Sequence, residues 1–99
     1  MYFLNLSGLI PTNKQLEFEQ TYRFAATQMP SFCKAYSISK DALIEGLYHF
    51  TSHWDSMEGL RSFGKSPVYA LLVGAFNTLG KLTEKSKGEM VVSAFQLVD

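Results

Sequence analysis

The sequence predicts an α+β domain in which helices cover one face of a four-stranded antiparallel sheet. Alternating apolar patterns typical of strands occur once before a first helical pattern, twice after it, and once after a second helical pattern that is broken in two. The order is therefore β-α-β-β-α-β, the ferredoxin-like split βαβ arrangement. Elements in this order pack as two layers, with the helices together on one side of the sheet.

The first strand and the first helix are marked by their apolar periods. Residues 2–9 alternate between two faces, as a strand does. Thr12 and Gln15 have the spacing of a capping box, which predicts a helix start, and Pro30 ends that helix. An apolar stripe at helical spacing lies between them and consists of Phe18, Tyr22, Ala25, Ala26 and Met29.

Residues 32–39 and 43–54 are predicted to form the second and third strands, with a tight turn at Lys40 and Asp41. One face of the third strand carries Ile44, Tyr48, Phe50 and Trp54, and the other carries Leu43, Glu45, Leu47, His49, Thr51 and His53. Neither face is purely polar, which predicts that this strand is covered on both sides.

The second helical pattern has two parts. Asp55 and Glu58 have the spacing of a helix start, and Gly64 ends this short helix. Ser66 is predicted to cap a second helix, with Pro67 at its first helical position.

The second part of the helical pattern ends at Gly80, a residue typical of helix C-termini. Residues 81–88 mix charges of both signs and are predicted to form a loop. Residues 89–98 alternate again and are predicted to form the last strand.

Composition narrows the range of functions. The chain has 99 residues, which predicts a single domain spanning residues 1–99, and its nine basic residues balance nine acidic ones. We expect no nucleic-acid partner, because binding to phosphates needs clustered Lys and Arg. No apolar run reaches the ~20 residues of a membrane span, and the start lacks signal-peptide features, so we expect a cytoplasmic protein without membrane association.

One segment resembles a known superfamily. Tyr48, Phe50 and Trp54 are followed by the run 57–60 (MEGL) and by the run 66–69 (SPVY) with its apolar helix. This succession resembles the antibiotic biosynthesis monooxygenase superfamily, whose members are dimeric α+β barrels. The resemblance implies cofactor-independent oxidation of a flat phenol or quinol in a pocket between sheet and helices.

The chain departs from the superfamily pattern at one place. Haem-degrading members use an Asn on the first strand, a Trp after the third strand and a helical His as haem ligand. Asn5 and Trp54 match the first two, but residues 55–99 contain no His. Phe63 occupies the position where quinol-oxidising relatives often carry a His. Because haem iron needs an axial ligand, we expect no haem and no other cofactor.

Two histidines are candidates for chemistry. His49 and His53 are four residues apart on a strand, so they stand ~13 Å apart and cannot share one metal ion. We assign His49 as the candidate proton acceptor. The residues proposed to contact a ligand are Asn5, Tyr48, Phe50, Trp54, Phe63 and Leu72. Asn5 either bonds structurally or points into a pocket, and Trp54 is either a core residue or a pocket wall.

Three functions are compatible with these features of the sequence. The first is a monooxygenase-like oxidoreductase that acts on a small aromatic. The second is a non-catalytic, stress-associated protein that binds a small hydrophobic ligand. The third is an interaction domain without an open cavity. In each case we expect a homodimer, because the sheet face opposite the helices is predicted to be apolar as well and needs a second copy to cover it.

Overall fold

The sheet has four antiparallel strands in a computed structural model that describes residues 1–91. The strands are β1 (Tyr2–Leu9), β2 (Cys33–Lys40), β3 (Leu47–Trp54) and β4 (Lys81–Glu89). Their spatial order is β2-β3-β1-β4, so β1 and β3 are central and the other two strands form the edges. The predicted α+β, ferredoxin-like class is confirmed.

The helices are α1 (Gln15–Ala26), α2 (Met57–Gly64) and α3 (Pro67–Leu79), and a 3-10 turn at Thr12–Lys14 precedes α1. Ser66 caps α3 by accepting a hydrogen bond from the Tyr69 N–H, with Pro67 in the first turn, as predicted.

Two predicted helix starts are wrong. α1 begins without a side-chain cap, and Gln15 donates instead to the carbonyl of Ile10 at 3.1 Å. The cap of α2 is Ser56 rather than Asp55, because the Ser56 hydroxyl accepts from the Gly59 N–H at 3.0 Å. Spacing identified the region of each start but not the side chain that caps it.

The connection from β2 to β3 differs from the predicted tight turn at Lys40 and Asp41. β3 begins at Leu47, and residues 41–46 form a loop. The Asp41 carboxylate accepts from the backbone N–H groups of Leu43 and Ile44, at 2.9 and 2.8 Å. Gly46 closes the loop at φ +81°, a conformation that suits glycine. An Asp side chain that bonds to the backbone ahead of it favours such a loop over strand continuation.

The last described strand lies where a loop was predicted. Residues 81–88 belong to β4, which pairs with β1 along its whole length, with a bulge between Ser7 and Gly8. The charged pattern is compatible with a strand, because an edge strand needs only one neighbour and tolerates lysines. The strand predicted over residues 89–98 falls for the most part outside the described residues.

The core lies between the sheet and the helices. The Trp54 ring is 4.7 Å from the Phe63 ring, and Phe18 lies 4.9 Å from Tyr48. The Trp54 indole N–H donates to the Ser52 hydroxyl at 2.9 Å, and that hydroxyl donates to the Leu4 carbonyl at 2.7 Å. The polar groups of this aromatic core are thereby satisfied, as burial requires.

The opposite face of the sheet is polar, which corrects the expectation of an apolar second face. Cross-strand pairs on it include Ser7 with His49, Asn5 with Thr51, and Ser37 with Thr51, whose hydroxyls lie 2.9 Å apart. We call this surface the open face, since none of the described helices lies on it. Within residues 1–91, no helix is long and apolar enough to cross a membrane.

Two glycines provide a matched test of the packing between α3 and β1. A Cβ at Gly80 would overlap the Leu9 carbonyl oxygen and lie 2.8 Å from Ile10 Cδ1, whereas one at Gly74 would meet no atom within 4 Å. We expect Gly80→Ala to lower the free energy of unfolding by about 2–3 kcal/mol. Gly74→Ala in mid-helix should raise it by about 0.5–1 kcal/mol. Urea titration of both variants measures these changes, and equal effects would contradict this packing.

Candidate functional site

Three polar side chains form a hydrogen-bonded chain on the open face. The Ser7 hydroxyl lies 2.8 Å from His49 Nδ1, and His49 Nε2 lies 2.9 Å from the Asp41 carboxylate. Ser7 is buried, whereas His49 and Asp41 keep 34% and 25% of their side-chain surface exposed. We call this arrangement the Ser7–His49–Asp41 relay.

The Asp41 carboxylate fixes how protons are placed in the relay. Hydrogen bonds from His49 and from the Leu43 and Ile44 N–H groups lower the pKa of Asp41 below its ordinary value of 3.8. An ionised carboxylate can only accept hydrogen bonds, so Nε2 of His49 carries a proton. Neutral His49 therefore has a free lone pair on Nδ1, which accepts from the Ser7 hydroxyl. The arrangement leaves Nδ1 as the ring nitrogen that can take up a proton, by way of the Ser7 hydroxyl.

Strand register and one loop bring the relay together. Ser7 and His49 are directly paired across β1 and β3, so their side chains leave the same face side by side. Asp41 comes from the loop after β2, where its own hydrogen bonds to the backbone hold the carboxylate in place. The imidazole is thus held between a rigid strand and a loop that is itself anchored.

A hollow of about 390 Å³ lies on the same face as the relay, beginning at the next cross-strand pair. Its lining residues are Phe3, Asn5, Thr51, His53 and Met90. Asn5 and Thr51 are the next cross-strand pair after Ser7 and His49 on the same face, about 7 Å away along the strands. The Asn5 Oδ1 atom is buried and has no hydrogen-bond partner within the described residues. An unsatisfied buried acceptor is rare and favours a ligand that donates a hydrogen bond there.

The seven residues predicted to form one site lie on two sides of the sheet. Asn5 and His49 belong to the open face. The other five lie on the helix-covered side and are at most 2% exposed: Tyr48, Phe50, Trp54, Phe63 and Leu72. The single pocket expected from the sequence is therefore corrected, because the sheet separates its two proposed halves.

On the covered side, Trp54 packs in the manner of a core residue. Its ring contacts Phe63 and Phe32 at centroid distances of 4.7 and 5.9 Å, and it has no solvent exposure. The hollow on the open face is not lined by Trp54, Phe50, Phe63 or Leu72. Their contact with a ligand stays a prediction that needs this side of the sheet to open.

Of these five residues, Tyr48 lines a cavity on the covered side. It lies at the bottom of a groove of about 300 Å³ between α1 and β2, and its hydroxyl donates to the Glu19 carboxylate. Burial, together with this hydrogen bond, raises the pKa of Tyr48 above its ordinary value of 10.0. Tyr48 therefore stays protonated at neutral pH and acts as a hydrogen-bond donor rather than a base.

The structure describes the metal-ligating side chains of residues 1–91. No group of three His, Cys, Asp or Glu side chains is close enough there to hold an ion. His53, the second histidine of the sequence, lines the hollow on the same face as His49.

Ser7 and Asp41 are site residues that the sequence pattern does not single out. The pattern predicts a turn at Asp41 and places Ser7 on the strand face opposite Leu4 and Leu6. Alternation alone already puts Ser7 and Asn5 together, and an Asp eight residues before a His is visible in the sequence. Their meeting depends on the register of β1 against β3, which the sequence does not specify.

Comparison with known proteins identifies the fold. The sequence matches no family model and no curated protein. An antibiotic biosynthesis monooxygenase of known structure superposes with a TM-score of 0.73 at 18% identity, covering 94% of this chain and 99% of the other. A proposed antibiotic biosynthesis monooxygenase from Deinococcus radiodurans gives 0.71 at 20% identity, covering 94% and 98%.

A third similar structure carries no assigned function. It is a conserved protein from Bacteroides thetaiotaomicron, described as a candidate oxidoreductase, with a TM-score of 0.75 at 16% identity. The match covers 90% of this chain and 96% of that protein. At such identities the comparison confirms the resemblance at the level of the fold.

The lowered pKa of Asp41 predicts a pH-dependent stability. A carboxyl whose pKa is lower in the folded state stabilises the fold above its unfolded pKa and loses that effect as the pH falls through the folded value. The free energy of unfolding of Asp41→Asn should therefore lie furthest below that of the parent protein above about pH 5. This difference in stability should shrink below pH 3.8. Thermal melts of both proteins from pH 7 to pH 2 measure this difference.

The control for this experiment is Asp55→Asn. Asp55 is a surface carboxylate, 60% exposed, that pairs with Lys34 at 3.0 Å. Exposed pairs contribute little to stability, so this variant should follow the parent protein closely at every pH. If the melting temperatures of the parent protein and Asp41→Asn changed with pH in parallel, the relay would not hold Asp41 ionised.

Proposed function

We propose that this chain binds a small phenol or quinol on its open face and accepts the phenolic proton at His49, the first step of a cofactor-independent monooxygenation. The Ser7–His49–Asp41 relay is the observation that carries the proposal. The fold supports the reaction class, since structures named as antibiotic biosynthesis monooxygenases share it. The site lies on the open face rather than between sheet and helices, because His49 lies there.

Substrate binding uses the hollow beside the relay. A flat ring fits against Phe3, and a hydroxyl group of the substrate donates to the unpartnered Oδ1 of Asn5. A second hydroxyl donates to Ser7, about 7 Å further along β1. A quinol with two hydroxyl groups satisfies both acceptors at once, so orientation comes from hydrogen bonds and the ring contributes apolar contact.

Proton transfer proceeds through Ser7. The substrate hydroxyl gives its proton to Ser7 Oγ while the Ser7 proton moves to His49 Nδ1, so the substrate becomes a phenolate and His49 an imidazolium. The Asp41 carboxylate, 2.9 Å from Nε2, stabilises the positive charge on the ring. Ser7 itself is unchanged at the end of this step. A base oriented in this way contributes typically 10²–10⁴-fold to rate.

The oxidant is molecular oxygen. The phenolate gives one electron to O₂, and the resulting radical and superoxide recombine to form a carbon–oxygen bond. The peroxide takes the proton back from His49, and loss of water from the H–C–O–OH group leaves a carbonyl. One oxygen atom stays in the product and the other leaves as water. The pocket contributes positioning and exclusion of solvent.

His49→Ala tests this function, with His53→Ala as the matched control. Both histidines lie on the same face of β3, but His49 is part of the relay and His53 is not. At saturating quinol or anthrone, the rate of oxygen uptake should fall about 10²-fold or more in His49→Ala, whereas His53→Ala, which removes a side chain that lines the hollow, should change the KM and leave that rate nearly unchanged. No uptake above buffer by folded parent protein, or equal loss in both variants, would overturn the proposal.

A thermal-shift measurement with the same panel of compounds detects ligand binding without turnover. Thermal stabilisation by members of the panel without oxygen uptake would indicate a non-catalytic binding protein.

We further propose that two copies cover each other's open faces in the cytoplasm, which would exclude water from the relay. Leu9 and Leu47 supply apolar contacts on this face, and its serines and threonines supply hydrogen bonds. Light scattering at micromolar concentration should give about 22 kDa, twice the 11.1 kDa of one chain. A mass near 11 kDa would contradict the dimer, while leaving the His49 experiment to decide the function.

A further inference from the structure

The groove between α1 and β2 has the features of a second ligand site, on the side of the sheet away from the relay. β2 is an edge strand, and α1 runs beside it without closing the space between them, which leaves about 300 Å³. This volume is at the lower end of the range found for small-molecule sites. The walls of the groove are the Tyr22 and Ile38 side chains, with Tyr48 at its bottom.

The side chains around the groove carry more positive than negative charge. Lys40 lies 3.7 Å from the Glu19 carboxylate, which also accepts from the Tyr48 hydroxyl, so the charge of Glu19 is already compensated. Lys40 further donates to Gln15 at 3.3 Å and lies 5.6 Å from the centre of the Tyr48 ring. Arg23 lines the same groove and makes no ion pair with any residue in the described range. One positive charge is therefore left for a ligand.

Helix periodicity aims Arg23 and Tyr22 at this space. Glu19, Tyr22 and Arg23 are three and four residues apart, so they share one face of α1. Burial raises the pKa of Tyr22, so its hydroxyl keeps its proton at neutral pH and can donate a hydrogen bond. Tyr22 makes no side-chain hydrogen bond among residues 1–91 and its ring meets Phe50 edge-on at 6.2 Å, which leaves the hydroxyl available.

We infer that this groove binds a small aromatic carboxylate, with the ring between Tyr22 and Ile38 and the carboxylate on Arg23. Guanidinium and carboxylate match in a two-point hydrogen bond that an amide or an amine does not reproduce. Tyrosine rings favour an aromatic partner, because offset and edge contacts between rings add to the effect of burial. The site is independent of the proposed chemistry on the open face.

Calorimetric titration with 2-naphthoate, 2-naphthamide and 2-naphthylmethylamine tests this inference in the full chain. The three probes share one ring system and differ in charge. The carboxylate should bind at least ten-fold more tightly than the amide, and its affinity should fall as salt is added. Tighter binding of the amine would overturn the inference, since Glu19 would then dominate the groove.

Arg23→Gln is the variant that locates the site, and Arg61→Gln is its control. Both arginines are exposed on helix surfaces, so neither change should affect folding. Arg23→Gln should weaken 2-naphthoate at least ten-fold and leave the amide unchanged, whereas Arg61→Gln should leave both unchanged. Equal affinities in the parent protein and Arg23→Gln, or no binding at millimolar concentration, would exclude the site. Oxygen uptake on quinols should be the same in both variants, which separates this result from the function proposed for His49.

Discussion

Side-chain alternation along β3 governs both the aromatic core and the polar surface of this protein. Tyr48, Phe50, Ser52 and Trp54 point towards the helices and are buried, while His49, Thr51 and His53 point the other way. Because a strand has a period of two, a shift of register by one residue would exchange these faces. The aromatic core and the relay are therefore two consequences of one register.

The two faces differ in how they are stabilised. On the covered face, Ser52 satisfies the indole N–H of Trp54 and donates to a backbone carbonyl, so large rings can pack without an unpartnered polar group. On the open face, serine, threonine and histidine side chains bond to one another across strands. A rigid apolar layer thus supports a polar surface, which is the arrangement that a site with fixed hydrogen-bond geometry needs.

The relay is the basis of the role proposed for His49, a role that the fold alone would not suggest. Relatives in the superfamily that the sequence resembles often carry a helical His where this chain has Phe63, and Phe63 here is part of the closed core. The proton acceptor proposed for this chain is on a strand instead, with Asp41 to fix its tautomer. A shared fold combined with a different placement of the base is consistent with the rule that chemistry depends on sites rather than on folds.

Local sequence was enough to define the order of elements and the two faces of β3, because these depend on the spacing of apolar residues. It also defined the start of α3 at Ser66-Pro67 and its end at Gly80, because these depend on backbone preferences. It was not enough to find β4 at 81–89, since a charged edge strand is held by backbone hydrogen bonds to β1 rather than by its own pattern. It also joined Asn5 and His49 with five core residues into one site. Alternation along β3 already places His49 opposite Tyr48, Phe50 and Trp54. Only the folded chain shows that Asn5 lies on the His49 side and that Ser7 and Asp41 meet His49, because these results depend on how β1 aligns with β3 and on where the loop after β2 lies beside them.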